Sequence, residues 1–242
     1  MPESLSIVIP AFNEALRLPA TLAALAAYFG EQPARHVEII VVDDGSSDAT
    51  GSLPWPVSRS ITWRRLRNES NQGKGYSVRR GMGAAMGERR LFTDADLSAP
   101  ISELGKLEAA LDAGADLAMG SRRQRDLIRS HQSVFRENAG RAFNKIVRWG
   151  LGLPYVDTQC GFKLFTRASA EAIFPLQKIE GWGFDPELLF LARRMGFRIE
   201  EVPVVWSHAP GAKIHLFSDS LRMFQDVARI RRLHPRPSAP PR

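Results

Sequence analysis

Thr93-Asp94-Ala95-Asp96 places two carboxylates one residue apart. On an extended chain such a pair points the same way, because strand side chains alternate with period two. Carboxylates so placed can share a divalent ion, directly or through water. Mg²⁺ takes one or two protein carboxylates and completes its shell with water and substrate phosphates. A D-x-D pattern recurs by chance, so its weight comes from its position after a β-rich segment. A second acidic pair, Asp43-Asp44, closes the apolar run Val37–Val42 and leads into Gly45-Ser46-Ser47-Asp48. Two chemistries suit it: turn formation with an N-cap at Ser47 or Asp48, or carboxylate hydrogen bonds to a nucleotide base or ribose. Gly73-Lys74-Gly75 is either a flexible turn or a place where backbone N–H groups and a cation meet a phosphate.

These residues need strand ends to hold them. Leu5–Pro10, Val37–Val42, Ile61–Leu66, Arg90–Thr93 and Asp116–Gly120 read as strands, followed by Gln159–Thr166 and Arg198–Trp206. Ala15–Phe29, Lys74–Ala85, Ile101–Ala113, Phe135–Gly150, Pro186–Met195 and Ser218–Arg232 read as helices by their apolar spacing. Alternating strands and helices predict an α/β fold with right-handed crossovers and a largely parallel sheet covered on both faces. Ligands bind beyond the carboxyl ends of such strands. That directs attention to Pro10–Glu14, Asp43–Ser47 and Asp94–Ser98. For Pro10–Glu14 the structural alternative is a plain connection with Asn13 as a helix cap.

Composition sets the frame. The chain has 242 residues, 44% hydrophobic and 24% charged, which excludes a wholly disordered chain. This length supports one core and favours one domain over two. The single cysteine, Cys160, excludes an intrachain disulfide and reads as a packed small residue. No basic n-region and no apolar window of about 20 residues is present, so neither a signal peptide nor a spanning helix is expected, and a cytoplasmic location is. Pro235–Arg242 is proline-rich and reads as a disordered tail. The formal charge of +7 suits nucleic acid, an anionic membrane or a phosphorylated substrate. No nucleic-acid motif accompanies it, so no nucleic-acid partner is expected.

Four segments, taken in order, carry a resemblance. S-I-V-I-P-A-F-N-E (Ser6–Glu14), V-V-D-D-G-S-S-D (Val41–Asp48), N-Q-G-K-G (Asn71–Gly75) and T-D-A-D (Thr93–Asp96) resemble the family 2 inverting glycosyltransferases. Within that family the chain is similar to the dolichyl- and polyprenyl-phosphate sugar synthases. D-T-Q-C-G-F-K-L-F (Asp157–Phe165) and G-W-G-F-D-P-E-L-L (Gly181–Leu189) most resemble its dolichyl-phosphate glucosyltransferase branch. The motifs are specific jointly rather than singly.

The resemblance implies a GT-A fold: a Rossmann-like, mostly parallel sheet flanked by helices, with a C-terminal acceptor-side helical extension. It implies one domain over residues 1–234, with a nucleotide-binding half to about residue 120 and an acceptor half from about 121. The donor is a nucleotide sugar, UDP-glucose favoured, with Mg²⁺ or Mn²⁺. The acceptor is polyprenyl or dolichyl phosphate, and a saccharide or other hydroxyl is the alternative. By the family pattern Pro10, Ala11, Asn13 and Glu14 line the nucleotide pocket, with Lys74 and Ala95 beside them. Asp44 contacts the base, with Asp43 its close competitor. Asp94 sits at the ribose or metal, and Asp96 ligates the metal. Mannosyl relatives often carry Gln where this chain has Ser98, which leaves that position to a hydroxyl or water. Arg122 and Arg136 face the acceptor phosphate, a task suited to guanidinium. Lys213 meets the diphosphate, and His208 lies near an arginine that some relatives use for it. Asp185 sits where other members carry an acidic base; its structural alternative is an N-cap ahead of Pro186.

A lipid acceptor implies membrane contact at the cytoplasmic face. Phe135, Ala139, Phe143, Ile146 and Val147 fall on one side of a helical pattern, with Arg141, Lys145 and Arg148 on the other. That describes either a surface helix packed on the core or an interfacial helix among lipid headgroups. Arg222, Arg229, Arg231 and Arg232 beside Leu221, Phe224, Val227 and Ile230 give the last helix a similar character.

Overall fold

Runs such as Val37-Glu38-Ile39-Ile40-Val41-Val42 are apolar on both faces, which suits a strand covered on both sides. The computed structural model describes residues 4–32, 35–122, 124–130, 144–207 and 216–235. In it β1 (Leu5–Ala11) and β2 (Val37–Asp43) are buried at every position. They join β3 (Ile61–Arg67), β4 (Arg89–Thr93), β5 (Leu117–Ser121), β7 (Phe162–Thr166) and β8 (Ile199–Pro203) in a seven-stranded sheet ordered β3-β2-β1-β4-β7-β5-β8. β7 runs antiparallel to both its neighbours, and the other pairings are parallel. Strands from before and after residue 120 therefore share one sheet.

Helices α1 (Leu18–Gly30) and α3 (Leu104–Asp112) cover one face. Helices α2 (Lys74–Ala84), α4 (144–151), α5 (Arg167–Ile173), α6 (Phe184–Arg194) and α7 (Leu216–Leu233) cover the other. Helix α1 starts three residues later than its apolar spacing predicts. Glu14–Arg17 instead forms a turn in which the Leu18 N–H donates to the Glu14 carbonyl, and Pro19 opens the helix. The predicted strand Arg198–Trp206 is split. Pro203 has no N–H to continue a ladder, so β8 stops there, and Trp206–Ser207 (β9) pairs with β6 (Ile128–Ser130) in a separate two-stranded sheet. Helix α5 was not expected. Its signal was Thr166, whose hydroxyl accepts from the Ser169 N–H as an N-cap.

The carboxyl ends of β1, β2, β4 and β5 lie at one edge. Because β7 is antiparallel, residues 157–161 ahead of it arrive at that same edge. The expectations for Arg136, Arg141, His208 and Lys213, and for the tail beyond Pro235, lie outside the described residues.

Candidate active site

The loops after β1 and β2 are laced together. Asn13 sits at φ +54°, a left-handed conformation that costs energy outside glycine. Its carboxamide oxygen accepts from the Ser47 N–H (2.8 Å), the Ser47 hydroxyl (3.2 Å) and the Asp48 N–H (3.3 Å). Its own N–H donates to Ser46 Oγ at 2.8 Å. Asn13 thus organises the β2 loop and does not cap α1, which corrects the capping alternative. Asp48 is the cap in that loop, accepting from the Thr50 N–H. Pro10 and Ala11 are buried β1 residues, and the Ala11 carbonyl accepts from the Asp44 N–H at 2.8 Å.

Neither carboxylate of Asp43-Asp44 stands open. Asp43 is fully buried and accepts from the Ser46 N–H (2.9 Å) and Arg67 Nη1 (2.6 Å). Asp44 accepts from Asn68 Nδ2 (2.6 Å) and from the N–H groups of Gln72 and Gly73, both at 2.9 Å. Asp44 therefore holds the turn that opens α2, while Asp43 ties the β2 loop to Arg67 at the end of β3. The expected base contact falls on carboxylates that already accept hydrogen bonds from the protein. Nothing local in the sequence marks Arg67 and Asn68 as partners of the acidic pair that ends β2.

Lys74 leaves that turn and is not free. Its Nζ lies 2.5 Å from Asp94 Oδ1 and over the rings of Trp182 (5.1 Å) and Phe184 (5.8 Å). Burial pushes its pKa down, but the charges of Asp94 and Asp185 outweigh this, and the net direction is upward. Asp94 and Asp96 do not lie on an extended strand, which corrects the alternation argument. β4 ends at Thr93, and the pair occupies a turn closed by the Leu97 N–H on the Asp94 carbonyl at 3.2 Å. Leu97 itself sits at φ +46°. Leu97 and Asn13 are the described non-glycine residues with positive φ. Both flank this site, as strained residues often do. Asp96 Oδ1 accepts from the Ser98 N–H (3.0 Å) and hydroxyl (2.9 Å), so Ser98 aims the carboxylate. The Ala95 carbonyl anchors α1 by accepting from Thr21 Oγ1 at 2.6 Å.

Among the described residues no group of three or more His, Cys, Asp or Glu side chains converges on a metal position. Two partly exposed carboxylates are nonetheless the donor set that Mg²⁺ or Mn²⁺ accepts, since the remaining positions belong to water and phosphate. Asp94 and Asp96 fit that ion.

β7 starts later than expected, at Phe162, which pairs with Thr93 where β4 ends, and Gly161 before it lies against Asp94. A Cβ placed there would lie 2.2–2.6 Å from the three carboxylate atoms of Asp94. Gly161→Ala is therefore expected to turn Asp94 away from Lys74 and lower turnover about a hundredfold, with a melting temperature within a few degrees of wild type. Steady-state turnover read beside a thermal melt checks this, and unchanged turnover overturns it.

On the β5 side Asp157 receives Arg122 bidentately, Nε at 2.6 Å and Nη2 at 2.8 Å, and also the Arg122 N–H at 3.0 Å. The guanidinium also lies 5.4 Å from the Trp206 ring. Burial raises the Asp157 pKa, but the Arg122 charge and hydrogen bonds overcome it and hold the carboxyl below its usual range. Arg122 thus reaches the site already paired, with Nη1 outside that fork.

Asp185 is 3% exposed and pairs with the fully buried Lys163, whose Nζ also donates to the Cys160 carbonyl at 2.6 Å. Gly183, not Asp185, is the N-cap of α6, which corrects the capping alternative. Burial raises the Asp185 pKa, and the opposing charges of Lys163 and Lys74 do not cancel it. The Cys160 thiol is buried and pushed up to about 12, which fits a packed residue and not a nucleophile.

Residues 6–174 match the sequence profile described as Glycosyl transferase family 2. Curated relatives include the dolichyl-phosphate beta-glucosyltransferases of Dictyostelium discoideum, 36% identical over 94% of this chain and 73% of that one, and of Drosophila melanogaster, 38% identical over 93% and 74%. Among solved structures, glucosyl-3-phosphoglycerate synthase from Mycobacterium tuberculosis in complex with Mn²⁺, UDP and glucosyl-3-phosphoglycerate aligns with a TM-score of 0.68 at 20% identity, covering 94% of this chain and 80% of that one.

Proposed function

For this chain, which belongs to glycosyltransferase family 2 and has the GT-A fold, we propose transfer of glucose from UDP-glucose to dolichyl or polyprenyl phosphate, with inversion at the anomeric carbon. One observation carries the reading. Relatives more than a third identical over nearly the whole chain are named dolichyl-phosphate beta-glucosyltransferases.

The chemistry follows from the acceptor. A phosphate monoester is largely dianionic at pH 7 and is already a nucleophile. It needs orientation and charge stabilisation more than a base. Asp185 suits that requirement: paired with Lys163, it holds charge around Lys74 and Asp94 and does not accept a substrate proton. A hydroxyl acceptor needs a base, and Asp185 is poorly placed to be one. Asp96 and Asp94 would hold a divalent ion, which when bound would supply Lewis-acid stabilisation to the diphosphate leaving group. Asn13 and Glu14 frame the nucleotide side, and Asp43 and Asp44 hold its wall. Arg122 offers Nη1 to the acceptor phosphate while Asp157 fixes its plane, and we assign Arg136 and Lys213 to the acceptor phosphate and the diphosphate by family pattern.

Peripheral membrane contact belongs to the same proposal. No helix among the described residues is long and apolar enough to cross a bilayer. On α4, Val147 and Leu151 pack into the core, while Trp149 is 94% exposed and Ile146 47% exposed. Trp at such a position suits the headgroup layer. Phe224 on α7 is also exposed, and Arg193, Arg194 and Arg231 line a 390 Å³ cavity where α4, α6 and α7 meet. These groups support a lipid-facing surface at the cytoplasmic side of a membrane.

The purified chain is expected to release UDP from UDP-glucose only with polyprenyl phosphate and Mg²⁺ or Mn²⁺ present. UDP release with a sugar hydroxyl, and none with the lipid phosphate, sinks the acceptor assignment.

A further inference from the structure

Arg17 belongs to no motif singled out in the sequence, yet it reaches the centre of the site. Its Nε and Nη2 grip Glu14 bidentately at 2.7 and 2.5 Å. That grip leaves Nη1 directed at Asp96, 3.6 Å from Oδ2. This is ion-pair distance but too long for a hydrogen bond. Nη1 is buried and has no hydrogen-bond partner among the described residues. Buried donors are rarely left so. Asp94 meanwhile has Lys74 at 2.5 Å. Each carboxylate of the D-x-D turn thus has a side-chain cation in attendance.

We propose that Arg17 is a positioning residue, the resident counter-ion of Asp96, and that it makes divalent-metal binding depend on the nucleotide. The inference rests on the assignment of Asp96 as a metal ligand. Its physical basis is charge balance. Glu14, Asp94 and Asp96 supply three negative charges, and Arg17 and Lys74 supply two positive ones. A divalent ion alone takes this cluster to a net positive charge, beside a guanidinium that cannot deprotonate. The diphosphate of UDP, with a charge of about −3 at neutral pH, alone deepens the negative charge. The two together bring the balance back to within about one charge of where it began. Glu14 is the tether that makes this work, because its bidentate hold keeps Arg17 from closing on Asp96. The ion pair stays loose enough for a metal to displace, while its charge remains near the ligand.

Mn²⁺ binding is the readout, followed by the electron paramagnetic resonance signal of free Mn²⁺ with and without UDP. In the wild-type protein UDP is expected to tighten Mn²⁺ binding by about tenfold or more, within the range usual for coupled sites. Linkage requires Mn²⁺ to tighten UDP binding by the same factor, which calorimetry reads independently. Arg17→Gln is expected to bind Mn²⁺ alone about tenfold more tightly than wild type, so that most of the coupling is lost. Arg17→Lys, which keeps a cation, is expected to retain most of it. If Arg17→Gln does not fold, Arg17→Met carries the same expectation, because it also removes the charge. Wild-type coupling that survives in the uncharged variants, or its absence in wild type, overturns the inference. Asp96→Asn tests the underlying assignment separately: if it binds Mn²⁺ as wild type does, the metal site itself is wrong.

Discussion

Asp96→Asn is expected to lower sugar transfer at least about a thousandfold while leaving the fold intact. The carboxylate is partly exposed and sits in a turn beyond β4, so its loss opens no cavity in the core. An amide keeps the shape and can still accept from the Ser98 N–H and hydroxyl. What disappears is one negative charge and a hard oxygen ligand. Mg²⁺ and Mn²⁺ favour carboxylate oxygens, and an amide oxygen is a weaker ligand. The diphosphate would then lack the Lewis-acid stabilisation that an ion held there would supply, a contribution of several kcal/mol. Initial rates of UDP release across a Mn²⁺ titration check this. Turnover within tenfold of wild type at saturating Mn²⁺ contradicts the role. A melting temperature far below wild type shows instead that Asp96 matters to the fold.

Lys163→Met has the largest expected effect on stability. Lys163 is fully buried, lies 5.3 Å from the Phe92 ring, and pairs with the buried Asp185. Removing one partner of such a pair leaves an uncompensated charge in the interior, at a cost of about 3–5 kcal/mol. For a chain of this size the melting temperature is expected to fall by roughly 6–20 °C. The pH dependence has a definite sign. Burial already raises the Asp185 pKa in the folded state, with Lys163 and Lys74 opposing it. Without Lys163 it rises further, so the folded state binds a proton that the unfolded state releases. The deficit is therefore largest at pH 8 and shrinks toward pH 5, as the carboxyl becomes neutral. Calorimetric scans at the two pH values read this directly. A deficit that grows on acidification contradicts it. The double variant Lys163→Met with Asp185→Leu is expected to recover most of the lost stability, because a well-packed apolar pair can replace a buried ion pair.

The strands were legible because their signal is local. Val37–Val42 reads as a doubly covered strand from its β-branched residues alone, and the structure extends it only by Asp43. Boundaries failed where a distant contact decided them. β7 starts at Phe162 because its partner β4 ends at Thr93, the residue opposite. The strand beyond Arg198 divides because Pro203 ends one ladder and the chain then crosses to β6. Helix α5 gives little local signal, because its apolar face is short and its cap, Thr166, is a residue type common in turns.

The class of fold and the edge where the chemistry gathers follow from local sequence. Strand and helix periods are set by neighbouring residues, and an acidic pair after a strand is carried to the strand's end wherever that strand lies. Tertiary structure alone decided which charge meets which. Arg122 finds Asp157 across 35 residues, and Lys163 finds Asp185 across 22. Arg17, unmarked by any motif, is brought between Glu14 and Asp96. The reason is that Coulomb energy depends on distance and burial, not on spacing along the chain. Only the strand order, with β7 inserted antiparallel between β4 and β5, brings those loops to one edge. That packing makes Asp185 half of a buried ion pair and brings Arg17 within 3.6 Å of Asp96.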